Sequence, residues 1–204
     1  MALFLHLPTL EFARGILDGS IAQDVYHILE ELGIEQPGLG DVANAFAALQ
    51  GDAAQADTLL SELRRDFTQL FSHPLRPSVS IYETLLLADP DAPRSKRPLL
   101  FTSPAALDAA RCYKKAGLAP AATVNEPEDH FATQFEFMSY LYRRQLSLLG
   151  GDAQALEQNS ESLREFSLLH LHKWVEPFFV AVARKAQSPS YQAFAHLGSH
   201  CAKA

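Results

Sequence analysis

Apolar residues recur every three to four positions along most of the chain and almost never alternate. That period predicts helix nearly everywhere and strand nowhere. Ile21, Val25, Ile28, Leu29 and Leu32 share one face of a helix expected over 21–32, with Gly33 as its stop. A second helix is expected over 41–49, broken by Gly51. A third begins near Asp52, lines up Leu59, Leu60, Leu63, Phe67, Leu70 and Phe71, and ends at Pro74 and Pro77. Ser103-Pro104 reads as an N-cap with proline at the first helical position, opening a helix to about Ala116 that Gly117 terminates. From Pro127 the helical pattern runs to Leu149, where Gly150-Gly151 stops it, and Asp152 opens a further helix to about Lys173. Pro177 predicts a break or kink before Phe178, Phe179 and Val182 resume the apolar face, and Ser188-Pro189 caps a last helix through Leu197. The expected fold is all-α, a single compact domain over 1–204 of roughly eight or nine helices.

One stretch departs from the pattern. Residues 75–104 hold Pro77, Pro90, Pro93, Pro98 and Pro104 and a basic island at Arg94, Lys96 and Arg97. The expectation is an irregular, mobile hinge or lid. Such a hinge permits exchange of elements between copies, so the chain is expected as a monomer or a domain-swapped dimer.

Composition narrows the classes. The chain has 204 residues, 48% hydrophobic and 20% charged, with a formal net charge of −7. That balance argues against nucleic acid as a partner, because phosphate binding needs clustered Lys and Arg. It favours basic partners, although so mild an acidity is commonly just a solubility device. Cys112 and Cys201 are the only cysteines and form no CxxC pair, so no disulfide framework is expected and a reducing cytoplasm fits. The apolar start lacks a basic n-region and meets Pro8 early, so a signal peptide is not expected, and no run approaches the ~18 apolar residues of a membrane span.

Candidate chemistry concentrates in "NEPEDH", residues 125–130. The residue before a proline avoids the α region, so Glu126 should be extended and Pro127 should open the helix. Glu128 and Asp129 would then lie in its first turn and complement the helix dipole. Glu126 is a poor N-cap type, and a histidine at the positive end of the dipole is misplaced, which suggests a use for Glu126 and His130 beyond capping. A metal site is not expected: His130 has no second histidine at i+4, and His170 and His172 point about 200° apart on a helix. No nucleophile elbow, P-loop, HExxH or dinucleotide motif is present. An acid–base site built on Glu126, Asp129 and His130 remains as an alternative without a named substrate, as does a purely structural role in assembly. After the cluster, Phe131, Phe135, Met138, Tyr142 and Leu149 form a stripe broadened by Phe137, Leu141 and Leu148, which predicts a central helix packed on more than one side.

"EPEDHFATQFEFMSYL", followed about thirty residues on by "FSLLHLHKWVEPFF", resembles the signature of the TorD/DmsD family of redox-enzyme maturation chaperones. Glu126, Pro127, Asp129 and His130 fill its first part, and Phe166, Leu171, Trp174 and Phe178 fit its second. "LRRDFTQLFSHPLRPSVSIYETLLL" and "ALDAARCYKKAGL" are similar to further family segments, so the resemblance covers about residues 55–185. The first fifty residues depart from the family's opening helix, and Gln134 stands where many members carry an acid. The resemblance implies a cytoplasmic, all-helical chaperone with no catalytic activity and no cofactor of its own. Its partners would be the twin-arginine leader peptide and the apo-form of a molybdopterin oxidoreductase, held until cofactor loading is complete. Carboxylates would pair with the leader's guanidinium groups and a helical groove would take its apolar part. The implied peptide-binding residues are Glu126, Pro127, Glu128, Asp129 and His130, with Tyr82 and Glu83 contacting the peptide from the hinge.

Overall fold

The computed structural model of the chain describes residues 1–31, 33, 38–73, 77–89, 99–119 and 126–202. Among them the only extended pairing is an isolated bridge, and the rest is helix and connection. The α-helices are α1 (Leu10–Leu17), α2 (Ser20–Glu31), α3 (Gly38–Ala47), α4 (Ala56–Phe67), α5 (Glu83–Leu86), α6 (Pro104–Lys115), α7 (Phe131–Leu148), α8 (Ala153–Phe166), α9 (His172–Lys185) and α10 (Pro189–Cys201). The all-α expectation therefore stands. α5 is a single turn, and neither it nor α1 was foreseen.

Side-chain caps mark several starts. Thr9, Asp52, Ser103, Asp152 and Ser188 each accept a backbone N–H with the side-chain oxygen, satisfying donors that a helix start leaves over. At the ends of α2 and α6, Gly33 and Gly117 take positive φ (67° and 81°), as the stop signals require.

Two segments are wound as π-helix, Thr68–Ser72 after α4 and Ser167–Leu171 between α8 and α9. The expected break at Pro177 does not occur: α9 runs through it. The lost N–H bond is outweighed by packing, since Phe178, Phe179 and Val182 are all fully buried.

Chain contacts divide into two compact units, one of Met1, Leu3–Val79 and Val175–Ala204, the other of Ala2 and Ser80–Trp174. In the first, α1 packs on α2 and α4, and α3 packs on α2 and α10. Its core is aromatic: Phe4 stacks on Phe194 at 4.5 Å and meets Phe12, Phe46 and Tyr191 edge-on. In the second, α7 packs on α8, and α6 contacts α5 and α8. One apolar cluster there gathers Ala109, Tyr113, Phe137, Met138, Leu141 and Phe166.

The buried stretch of α7 is its N-terminal half. Phe131, Phe137, Met138 and Leu141 are buried, whereas Tyr142, Leu146 and Leu149 are exposed, so the helix is central only over its first three turns. Much of the 75–104 expectation, including Arg94, Lys96 and Arg97, lies outside the described residues. Its described parts hold α5 and a 3₁₀ turn at Leu100–Thr102.

Candidate functional site

The segment around Tyr82 lies antiparallel to the EPEDH turn. Tyr82 and His130 form the isolated bridge, Phe131 N–H donates to Ile81 O (2.9 Å), and Glu83 N–H donates to Asp129 O (3.1 Å). Residues 44 and more apart in sequence are thereby clamped together, a link no local pattern encodes.

The helix start differs from the expected one. Pro127 does not open α7; residues 127–130 close a turn in which His130 N–H donates to Pro127 O (3.1 Å). The N-cap is His130, whose Nδ1 accepts the Ala132 N–H at 3.2 Å. Glu126 is therefore not the cap, and Glu128 and Asp129 precede the helix instead of occupying its first turn. The histidine is not misplaced: an imidazole presenting a lone pair is the polarity a helix N-terminus favours.

Asp129 is fully buried. Its Oδ2 accepts the Thr84 N–H at 2.9 Å, which caps the turn α5, while Oδ1 has no hydrogen-bond partner among the described groups. Burial pushes the Asp129 carboxyl above the usual carboxylate range, the Thr84 hydrogen bonds oppose this, and the nearby Glu83 carboxylate adds to it. Thr84 Oγ1 donates to Ser103 Oγ (2.6 Å), and Ser103 in turn caps α6.

Behind the turn lies a buried polar chain. Glu83, only 3% exposed, accepts at Oε2 from Gln134 Nε2 and from His170 Nδ1, both at 2.8 Å. Gln134 Oε1 accepts the Trp174 indole N–H at 2.6 Å. The fully buried Trp174 ring stacks on Phe131 at 3.5 Å. Gln134 suits this place because its amide donates to one neighbour and accepts from the other; an ionised acid would face Glu83 with a second negative charge. Burial works to lower the pKa of His170, but polar contacts with Cys112 and Glu83 outweigh it and raise it to about 9. His170 Nε2 also stands 3.2 Å from Asp108 Oδ2, an ion-pair distance.

The exposed edge is narrower than the motif. Glu126 is exposed, and its Oε2 accepts the Tyr82 hydroxyl at 2.6 Å. Burial, then the Glu126 carboxylate, push the Tyr82 hydroxyl well above its ordinary pKa, so it stays a donor. Glu128 is half-buried, and its backbone carbonyl accepts the Tyr113 hydroxyl at 2.8 Å. Pro127, Asp129, His130 and Glu83 are buried. The acid–base alternative finds its three groups engaged separately: Glu126 with Tyr82, Asp129 with Thr84, His130 with the α7 backbone.

An open groove of about 470 Å³ runs along α7 and α8, lined by Met138, Tyr142, Leu163 and Leu168 with Arg164 and His172. The structure brings Tyr82 and Glu83, expected as peptide contacts from the hinge, against the turn residues. The sequence reading missed Gln134, His170 and Thr84 as members of the network. HxH spacing concerned His170 only as a pair with His172, whereas the partners of His170 come from elements 87 and 62 residues away.

No curated protein and no solved structure matches the chain. The family model described as nitrate reductase delta subunit matches residues 36–180. That span contains the EPEDH turn, the buried Glu83 network and Trp174, and the chain belongs to this family, the NarJ/TorD-type redox-enzyme maturation chaperones.

Proposed function

We propose that the chain acts as a cytoplasmic chaperone for a molybdenum-cofactor oxidoreductase and binds that client's twin-arginine leader. Family membership supports a maturation role in general and a molybdoenzyme subunit as partner. The observation that carries the leader reading is the 2.6 Å hydrogen bond from Tyr82 to the exposed Glu126 carboxylate. It fixes a negative group at the surface and leaves Oε1 for a guanidinium. Glu128, half-buried beside it, adds a second acid. Among the described residues, no helix is long and apolar enough to cross a membrane.

In this reading the motif divides its labour. Glu126, Glu128 and Tyr82 meet the ligand. Pro127, Asp129, His130 and Glu83 hold them in place, because their side chains are buried against protein groups. The α7–α8 groove, starting about 10 Å along α7 from Phe131 at 1.5 Å per residue, offers apolar side chains for the leader's hydrophobic segment. The net charge of −7 attracts a basic peptide at long range.

Calorimetric titration of a twin-arginine leader peptide at two salt concentrations tests this. Glu126→Gln is expected to weaken binding about tenfold or more, with a shallower salt dependence and an unchanged melting temperature. Tyr82→Phe, which frees the carboxylate without removing it, is expected to weaken binding less. Equal affinity of parent and Glu126→Gln protein would remove the leader from this edge.

A further inference from the structure

The polar core of the second unit continues beyond His170. Asp108 and Cys112 stand four residues apart on α6, so their side chains leave the same face. The π-helical turn Ser167–Leu171 brings His170 against them, and the wider π turn is a form that recurs at functional sites. A carboxylate oxygen of Asp108, the Cys112 sulfur and a ring nitrogen of His170 all lie within 4.8 Å of one another.

The orientation of the imidazole is what separates this cluster from an ordinary ion pair. Its Nδ1 is taken by Glu83 at 2.8 Å. Its Nε2, in a side chain only 2% exposed, makes no hydrogen bond of good geometry and stands 3.2 Å from Asp108 Oδ2. A carboxylate on the far nitrogen is how metal-binding histidines are held: it keeps a proton on Nδ1, so that an ion beside Asp108 and Cys112 displaces the proton on Nε2 and takes the lone pair this uncovers.

We propose that Asp108, Cys112 and His170 form a binding site for a divalent transition-metal ion of the zinc type, with Glu83 as the positioning residue for His170. In a tetrahedral zinc site with bonds of about 2.0–2.3 Å, ligand atoms stand about 3.3–3.7 Å apart. The His170–Asp108 separation of 3.2 Å already falls close to that range. Rotation of Asp108 and Cys112, both only partly buried, closes the remaining gap and gives the ion a path from solvent. Thiolate and imidazole beside one carboxylate disfavour magnesium and calcium, which take oxygen ligands. Arg111 contacts Asp108 Oδ1 from an exposed position and leaves Oδ2 to the ion. Binding displaces the thiol proton of Cys112 and any proton on His170 Nε2 into solvent, and three protein ligands leave the fourth position for water or a partner's donor.

The test uses reduced, chelator-stripped protein titrated with Co²⁺ and then Zn²⁺. Expected are a thiolate-to-cobalt charge-transfer band in the near ultraviolet and visible d–d bands, saturating at one ion per chain and bleached by zinc. Cys112→Ser removes the charge-transfer band and Cys201→Ser leaves it. Asp108→Asn lowers affinity, and Glu83→Gln lowers it about ten- to a hundredfold while keeping the band. Thermal unfolding of each variant confirms that it is folded; Cys112→Ser and Asp108→Asn, on a partly exposed helix face, provide the decisive comparison if Glu83→Gln does not fold. Absence of cobalt bands, or bands that persist in Cys112→Ser or vanish in Cys201→Ser, overturns the site.

Discussion

The two units bury different chemistry. The first is an aromatic interior: Phe4 stands 4.5–6.1 Å from the rings of Phe194, Phe12, Phe46 and Tyr191, and Phe71 packs on Phe178 and Tyr191. Asp66 and Ser190 are its only buried polar side chains among the described residues. The second unit buries Glu83, Ser103, Asp129, His130, Gln134, Asn159 and His170. Apolar burial is non-directional and tolerates changes that keep volume. Buried hydrogen-bonded groups are directional, cost several kcal/mol if left alone, and so fix a geometry. The unit that carries the family's motif has accepted polar burial to hold that motif still.

Breaking the polar core should produce the largest effect. Glu83→Ala leaves the Gln134 amide and the His170 imidazole facing a void, and it is expected to destabilise the protein by about 3–5 kcal/mol in urea unfolding. A loss below about 1 kcal/mol would mean the network contributes geometry without stability.

Shape-preserving changes sharpen the contrast. Glu83→Gln keeps the volume but removes the charge opposite His170, and a loss of about 1.5–3 kcal/mol is expected. Leu63→Met in the first unit, also buried and similar in volume, should cost less than about 1.5 kcal/mol. Equal losses would erase the distinction between the cores.

The aromatic unit has its own rigid point. A Cβ on Gly198 of α10 would lie 2.1 Å from the fully buried Phe179 ring, which has no room to move aside. Gly198→Ala is expected to destabilise by about 1–3 kcal/mol despite alanine's better helix propensity, and a gain in stability would show that the ring yields.

The smallest effect is a pH dependence. Burial holds the Asp129 carboxyl above its ordinary value of 3.8, so the folded chain binds that proton more tightly than the unfolded chain. The resulting stabilisation is complete below 3.8 and is lost as pH rises through the folded-state value. Asp129→Asn cannot titrate and keeps an acceptor for the Thr84 N–H. Relative to this variant, the parent should lose stability as pH rises from about 4 toward neutrality, read from urea midpoints. A pH-independent difference would place Asp129 among ordinary carboxylates.

Much of the candidate site could be read from the chain, but with its roles transposed. Glu126, Asp129 and His130 stood out because a proline, three acids and an imidazole fall within six residues. Their exposure could not be read: the same carboxyl chemistry serves an exposed contact at Glu126 and a fully buried cap at Asp129. His130 looked wrong for a helix start only because it was taken as a charge; its Nδ1 acts as the acceptor the start requires. Gln134 looked like a mere departure from family pattern until Glu83 and Trp174 were found on either side of its amide.

The sequence by itself determined the helices and most of their limits. Period, cap residues and positive-φ glycines act within a few residues of one another, which is why Ser103, Asp152 and Ser188 were found at their expected starts. It also carried family membership, through motifs spread over about residues 55–185, and the family model matches residues 36–180. Only the tertiary structure decided that α9 passes through Pro177, that the chain pairs Tyr82 with His130, and that Glu83 joins His170 across 87 residues. Those outcomes depend on the packing and desolvation of groups far apart in the chain, and a buried hydrogen bond is worth making only once both partners have lost their water.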